Sequence, residues 1–161
     1  SVMIILGDPS KTTDFPDSRN VCLTTNLELT RYLIDDFIKR FPSFRDQPGL
    51  ATMTWLEAES HSSDGDMATS WAETMSATGC TAQMCWNDLG HPFAVEVGPK
   101  DSATGTHDMY SVFLEARSAS ISINGAPLAG TVCERLFFGR KMSTAFMAVS
   151  ETWVKPTLTE E

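Results

Sequence analysis

Basic residues are scarce in this chain. Lys and Arg total 12 against 21 Asp and Glu, a formal charge of -9. A surface so charged repels the phosphates that a nucleic-acid or anionic-membrane binder has to neutralise, so neither partner is expected. Long apolar runs are missing too. The longest obvious one, Val2–Leu6, falls far short of the ~20 residues of a membrane span and of a signal-peptide core with its basic flank. Cysteine is sparse: Cys22, Cys80, Cys85 and Cys133 are too few for a disulfide scaffold, none are in C-x-x-C spacing, and reduced thiols are favoured. There is no phosphate loop, no dinucleotide fingerprint, no H-E-x-x-H and no G-x-S-x-G. No repeat and no low-complexity stretch occurs. No cofactor and no metal are expected.

What remains is a globular composition. The chain has 161 residues, is 42% hydrophobic and carries 4 Trp and 9 Phe. That is enough for one domain with a self-sufficient core. Val2 to Leu6 reads as a buried strand, followed by a polar loop to about Asn20 and a β-prone run over Val21 to Thr25. Asn26 is placed to cap a helix, with Glu28 in its first turn. Leu29, Tyr32, Leu33, Asp36, Phe37 and Phe41 recur at helical spacing, predicting a helix over 27–41 whose stripe packs on the core, and Pro42 ends it. A strand is expected within Ala51 to Ala58, a loop over Glu59 to Asp66, and a helix over Met67 to Met75 capped by Asp66.

Beyond Gly79 the periodicity switches to two. Thr81 to Trp86, Phe93 to Val97, Tyr110 to Ala116, Ala119 to Ile123, Glu134 to Phe138 and Thr144 to Val149 read as short strands. Asn124-Gly125 is a hairpin signal, and Asn87 to Gly90 reads as a second reversal. The expected fold is α+β: a β-sandwich or twisted antiparallel sheet with one or two helices packed on it.

Candidate chemistry centres on residues 74–98. His61, in an acidic stretch, is read as part of a solvated loop rather than a cation site. His107 has no evident partner. Gly79 allows a sharp turn before Cys80, which opens a strand. If the chain reverses at Asn87–Gly90, His91 returns beside Cys80, within reach to take the thiol's proton and later protonate a leaving amine. Backbone N–H groups beside the cysteine would then serve as an oxyanion hole.

Thr78-Gly79-Cys80, with Thr74 six residues before the cysteine and His91 eleven after it, resembles the cysteine-dependent protein-glutamine deamidases, the group of the cytotoxic necrotizing factors, Burkholderia lethal factor and CheD. Their Leu-Ser-Gly-Cys is represented here by Ala77-Thr78-Gly79-Cys80. The resemblance implies that Cys80 attacks the carboxamide carbon, His91 activates the thiol and Thr74 orients the imidazole. It also implies a protein substrate. In the toxin branch the chain would be a secreted effector acting in the host cytosol; otherwise it would be cytoplasmic. The second reading is a non-enzymatic β-sandwich binding module (effector, immunity or accessory domain) whose exposed aromatics, Trp71, Trp86 or Trp153, do the work. A cysteine protease using the same pair is a third. On the deamidase reading Cys80 is the most reactive thiol near neutral pH.

Overall fold

The computed structural model describes residues 1–7 and 20–154. The loop expected up to Asn20 therefore falls, over 8–19, outside the described residues. Among the described residues the fold is mostly antiparallel sheet with a single α-helix packed on it, an α+β arrangement. By internal packing the chain divides into two compact units, Ser1–Asp64 with Glu73–Met84 and Ile121–Pro127, and Gly65–Ala72 with Cys85–Ser120 and Leu128–Glu161.

In the first unit, β1 (Val2–Leu6) pairs antiparallel with β2 (Asn20–Thr24), and β2 pairs parallel with β3 (Thr54–Glu57). Helix α1 (Leu27–Asp36) lies between β2 and β3 in the chain. The Asn26 side chain accepts from the Leu29 N–H at 3.0 Å, so the expected cap is formed. The α-helix is shorter than predicted. It ends at Asp36 and continues as a 3₁₀ turn, Ile38–Arg40, before Pro42. The buried face also differs from the expected stripe. Thr30 and Ile34 point inward, whereas Leu29 and Tyr32 are 51% and 61% exposed. Counting apolar residues placed the stripe one position off, because a threonine replaces a hydrophobe on the inner face. The Thr30 hydroxyl lies 2.6 Å from that of Thr24 and within 2.8 Å of the Asn26 carbonyl, so its polar atom is satisfied where it is buried. Ile34 packs with Cys22, Leu50 and Met53, and Ile4, Leu6, Ile38, Phe44 and Trp55 close round this cluster.

The larger sheet has the strand order β12-β8-β6-β5-β4, with β7 and β9 also pairing with β8. Its members are β4 (Ser60–Gly65), β5 (Ser70–Ala77), β6 (Cys80–Leu89), β7 (Phe93–Val97), β8 (Asp108–Ile123), β9 (Ala126–Pro127) and β12 (Phe146–Trp153). Two expectations fail between residues 59 and 77. The loop over Glu59 to Asp66 contains strand β4, which has no apolar alternation to betray it because every one of its residues is exposed. The helix over Met67 to Met75 is strand β5. Asp66 does cap, but it closes a turn: one carboxylate oxygen accepts from the N–H groups of Ala68, Thr69 and Ser70. These bonds hold its pKa well below the usual carboxylate range. Sheet pairing overrides the helix preference of Ala, Glu and Met there.

Two predicted strands, Tyr110 to Ala116 and Ala119 to Ile123, are one 16-residue strand, β8. Asn124-Gly125 forms the expected turn, with φ 51 and 78. In the second unit, Phe113 on β8 stands between Phe93 on β7 and Ala148 on β12. Among the described residues β10 (Glu134–Phe137) and β11 (Arg140–Ser143) pair only with each other, as a separate two-stranded sheet.

Replacing Ile34 by Ala is expected to cost about 2–5 kcal/mol in urea unfolding, and Asn26→Ala about 1 kcal/mol. Leu29→Ala is expected to change stability by no more than about 0.5 kcal/mol, which separates the observed inner face from the predicted one.

Candidate functional site

Cys80 occupies the first position of β6, directly after the Thr78-Gly79 turn that joins it to β5; Gly79 adopts φ 76, as its role in a sharp turn requires. The reversal expected at Asn87–Gly90 does not occur. β6 runs without interruption from Cys80 to Leu89, and His91 lies two residues past its end. The Asn-Asp signal is spent on one left-handed residue, Asp88 at φ 53, a conformation Asp tolerates. Beyond it the chain stays in the sheet: the Leu89 N–H donates to the Thr69 carbonyl at 3.2 Å and the Gly90 N–H to the Glu115 carbonyl at 2.8 Å. Cys80 and His91 belong to different compact units.

The Thr74 hydroxyl accepts from the Gln83 side chain at 3.1 Å across the β5–β6 hairpin. Of the backbone N–H groups beside the cysteine, that of Thr81 is engaged. Asn124 accepts from the Thr81 N–H at 2.8 Å through its side chain, donates to the Gly79 carbonyl at 3.1 Å, and donates its own N–H to the Thr81 carbonyl at 2.8 Å. Cys80 is 9% exposed, and burial raises its thiol pKa instead of lowering it. Burial pushes Cys22 up to about 11. All four cysteines are free thiols.

The two other histidines are engaged locally. His107 Nδ1 lies 2.8 Å from the Thr104 hydroxyl. His61, on β4, bonds the Glu73 carboxylate through Nε2 and the Ser1 hydroxyl, 3.0 Å away, through Nδ1. His61 and Glu73 keep 34% and 27% of their side-chain surface exposed. Water reaches this relay, and its evident work is to fasten the exposed strand β4. Among the described residues no group of His, Cys, Asp or Glu is arranged to hold a metal ion, and no helix is long and apolar enough to cross a membrane.

The strand expected over Glu134 to Phe138 is present as β10, but its pairing with β11 in a hairpin is a feature that sequence reasoning missed. The two strands meet at Phe138-Gly139, with φ 47 and 73. This is the backbone of the Asn124-Gly125 turn with a phenylalanine where asparagine is favoured. An L-residue without a short polar side chain is strained there by roughly 1–2 kcal/mol. The hairpin also inverts the usual strand pattern. Leu136 points out and is 73% exposed, while Arg135 and Phe137, on the opposite face, are half-buried.

Beneath the hairpin lies an aromatic cluster. Phe113 is its hub, with ring centroids 5.0 Å from Phe137, 5.5 Å from Phe146, 5.6 Å from Phe93 and 6.1 Å from Phe138. Two guanidinium groups lie on it. Arg135 is 4.4 Å from the Phe137 centroid and 4.8 Å from that of Phe146, and Arg140 is 4.7 Å from that of Phe93. Among the described residues neither arginine has an ion-pair partner, and Arg135 Nε and Nη2 are buried without a hydrogen bond. Desolvation lowers the Arg135 pKa. A cation–π contact returns about 0.5–2 kcal/mol, whereas each unmade hydrogen bond to a charged group forgoes roughly 1.5–3 kcal/mol. Stacking therefore does not balance the account of Arg135. Glu115, an acidic side chain on β8, accepts from the Ser143 N–H at 2.6 Å.

Comparison with protein-family models, with curated proteins and with solved structures returned no match.

Alkylation with iodoacetamide at neutral pH is expected to modify Cys133, which is exposed, first and Cys85 more slowly. Cys22 and Cys80 are expected to react only on unfolding, because a raised pKa keeps the thiol protonated and burial keeps the reagent out. Peptide mass mapping reads the order. Preferential labelling of Cys80 would restore it as a nucleophile.

Proposed function

We propose that this chain is a non-enzymatic binding module that engages a protein partner through the β10–β11 hairpin. The observation that carries this reading is the hairpin tip. Leu136 and Phe138 are 73% and 54% exposed, and Phe138 sits in a backbone conformation that disfavours it. Stability given up to present a large apolar side chain to water is a mark of a contact surface. Arg140 and Lys141 flank the tip, and aromatic and arginine side chains are the residues that dominate protein interfaces. Among the tryptophans named from sequence, Trp153 is 41% exposed, while Trp71 and Trp86 are partly covered. The deamidase reading is supported less well, since it needs a reversal after Cys80 and a depressed thiol pKa.

Site-specific photocrosslinking tests the proposal. A photoreactive residue at position 136 is expected to give one discrete adduct in extracts of the producing cell, and the same residue at Glu28 on α1 none. Phe138→Asn is expected to abolish the adduct while leaving folding stability within about 1 kcal/mol, because the lost ring contacts and the relieved turn strain oppose each other. Equal labelling from both positions, or ammonia release from a glutamine-bearing protein that Cys80→Ser removes, would overturn it.

A further inference from the structure

The hairpin's inner face holds a feature that its exposed outer face does not explain. Arg135 presents Nε–H and Nη2–H along one edge of its guanidinium group, and these are the two atoms left buried and unbonded. That edge carries two parallel donors and matches the two oxygens of a carboxylate. The guanidinium carbon also lies 4.4 Å and 4.8 Å from the ring centroids of Phe137 and Phe146, which are themselves 5.5 Å apart, so its remaining contacts are with π faces that cannot accept these two hydrogen bonds in the plane of the group. Arg140, over Phe93, adds a second positive charge on the same face of the hairpin, since it pairs with Phe137 in register. Both cations stand without an anionic partner among the described residues, in a chain whose net charge is -9.

From this geometry we infer that Arg135 is a carboxylate-recognition site and that the partner of the hairpin inserts an acidic side chain there. The inference rests on the binding-module reading and names the chemistry of the partner. A single carboxylate is favoured over a phosphate or a polyanion. The fork matches a planar anion of one charge, and the acidity of the rest of the chain penalises each further negative charge. The apolar residues beside that carboxylate would meet Leu136 and Phe138.

The donor edge is shut off from water, so the hairpin tip has to lift to admit the group. Its construction allows this. The base is pinned: the Thr144 N–H donates to the Cys133 carbonyl at 2.7 Å, the Cys133 N–H donates to the Thr144 hydroxyl at 3.0 Å, and the Ser143 N–H donates to Glu115. The tip is held by ring packing of Phe137 and Phe138 on Phe113. Lifting it returns the unbonded donors to water, which lowers the cost of opening, and a bound carboxylate then satisfies them.

The test is a titration of the full chain, labelled with ¹⁵N, with acetyl-Phe-Glu-Leu-amide and with its glutamine counterpart. Arg135 Nε–H is shielded from solvent, so its signal is observable and reports on the edge itself. The expected result is a shift of that signal with the glutamate peptide and little or none with the glutamine peptide. Binding is expected to weaken about tenfold or more in Arg135→Met and less in Arg135→Lys, which keeps the charge but loses the fork. Arg135→Met is also expected to unfold at the same denaturant concentration as the parent chain or a higher one, since an apolar side chain replaces an unpaired buried cation. Three results would overturn the inference: no movement of the Arg135 signal with the glutamate peptide, equal movement with both peptides, or a large loss of stability in Arg135→Met. If the amides of Leu136 and Phe138 move equally with both peptides while Arg135 stays still, the carboxylate site is refuted and the binding module stands. If crosslinking at position 136 fails as well, both fall.

Discussion

The continuity of β6 is the constraint on which the rest of the account depends. It is a ten-residue interior strand, paired on one side with β5 and on the other with β8. An interior strand has hydrogen-bond neighbours for every backbone group, and leaving the sheet part-way would orphan them on both sides. A sequence signal for a turn, Asn87-Asp88, is therefore absorbed as one left-handed residue, and the chain keeps its place. The reversal at Asn87–Gly90 on which the Cys80–His91 expectation was built is the opposite outcome. With β6 extended, Cys80 becomes a covered thiol at the head of a strand, Thr74 a partner of Gln83, and the neighbouring backbone the property of Asn124.

Local rules with a definite mechanism were legible in the sequence. The Asn26 cap and the Asn124-Gly125 turn could be read because in each a side chain or a backbone angle selects the residue directly. β1 and β7 could be read because burial on a sheet leaves a dense apolar run or an alternation. The parts that escaped are those where context outweighs local preference. β4 is polar throughout and is held by pairing and by His61. β5 contains good helix formers. The inner face of α1 includes Thr30, whose buried hydroxyl bonds the Asn26 carbonyl and the Thr24 hydroxyl of β2.

The candidate site escaped for a different reason. Leu136 facing out with Arg135 facing in reverses the rule by which strands are read, so the segment Glu134 to Phe138 looked like an ordinary strand. The clue was present. An arginine on the same strand face as Phe137, followed by a phenylalanine, Phe138, immediately before a glycine, is a poor choice for stability at both positions. Two departures from local preference within four residues are more informative than the turn signal that β6 overrode, because nothing in the fold repairs them. Arg135 keeps its unpaired edge, and Phe138 keeps its strained φ of 47.

The preference for the proposed β10–β11 surface over a Cys80–His91 pair rests on β6 being continuous. Amide hydrogen exchange along residues 80–91 tests it most directly. The account predicts slow exchange continuing past Trp86, with the Leu89 and Gly90 amides protected by their bonds to Thr69 and Glu115. Protection that stops at Trp86, with rapid exchange from Asn87 to Gly90, would show a turn at that point and would contradict it.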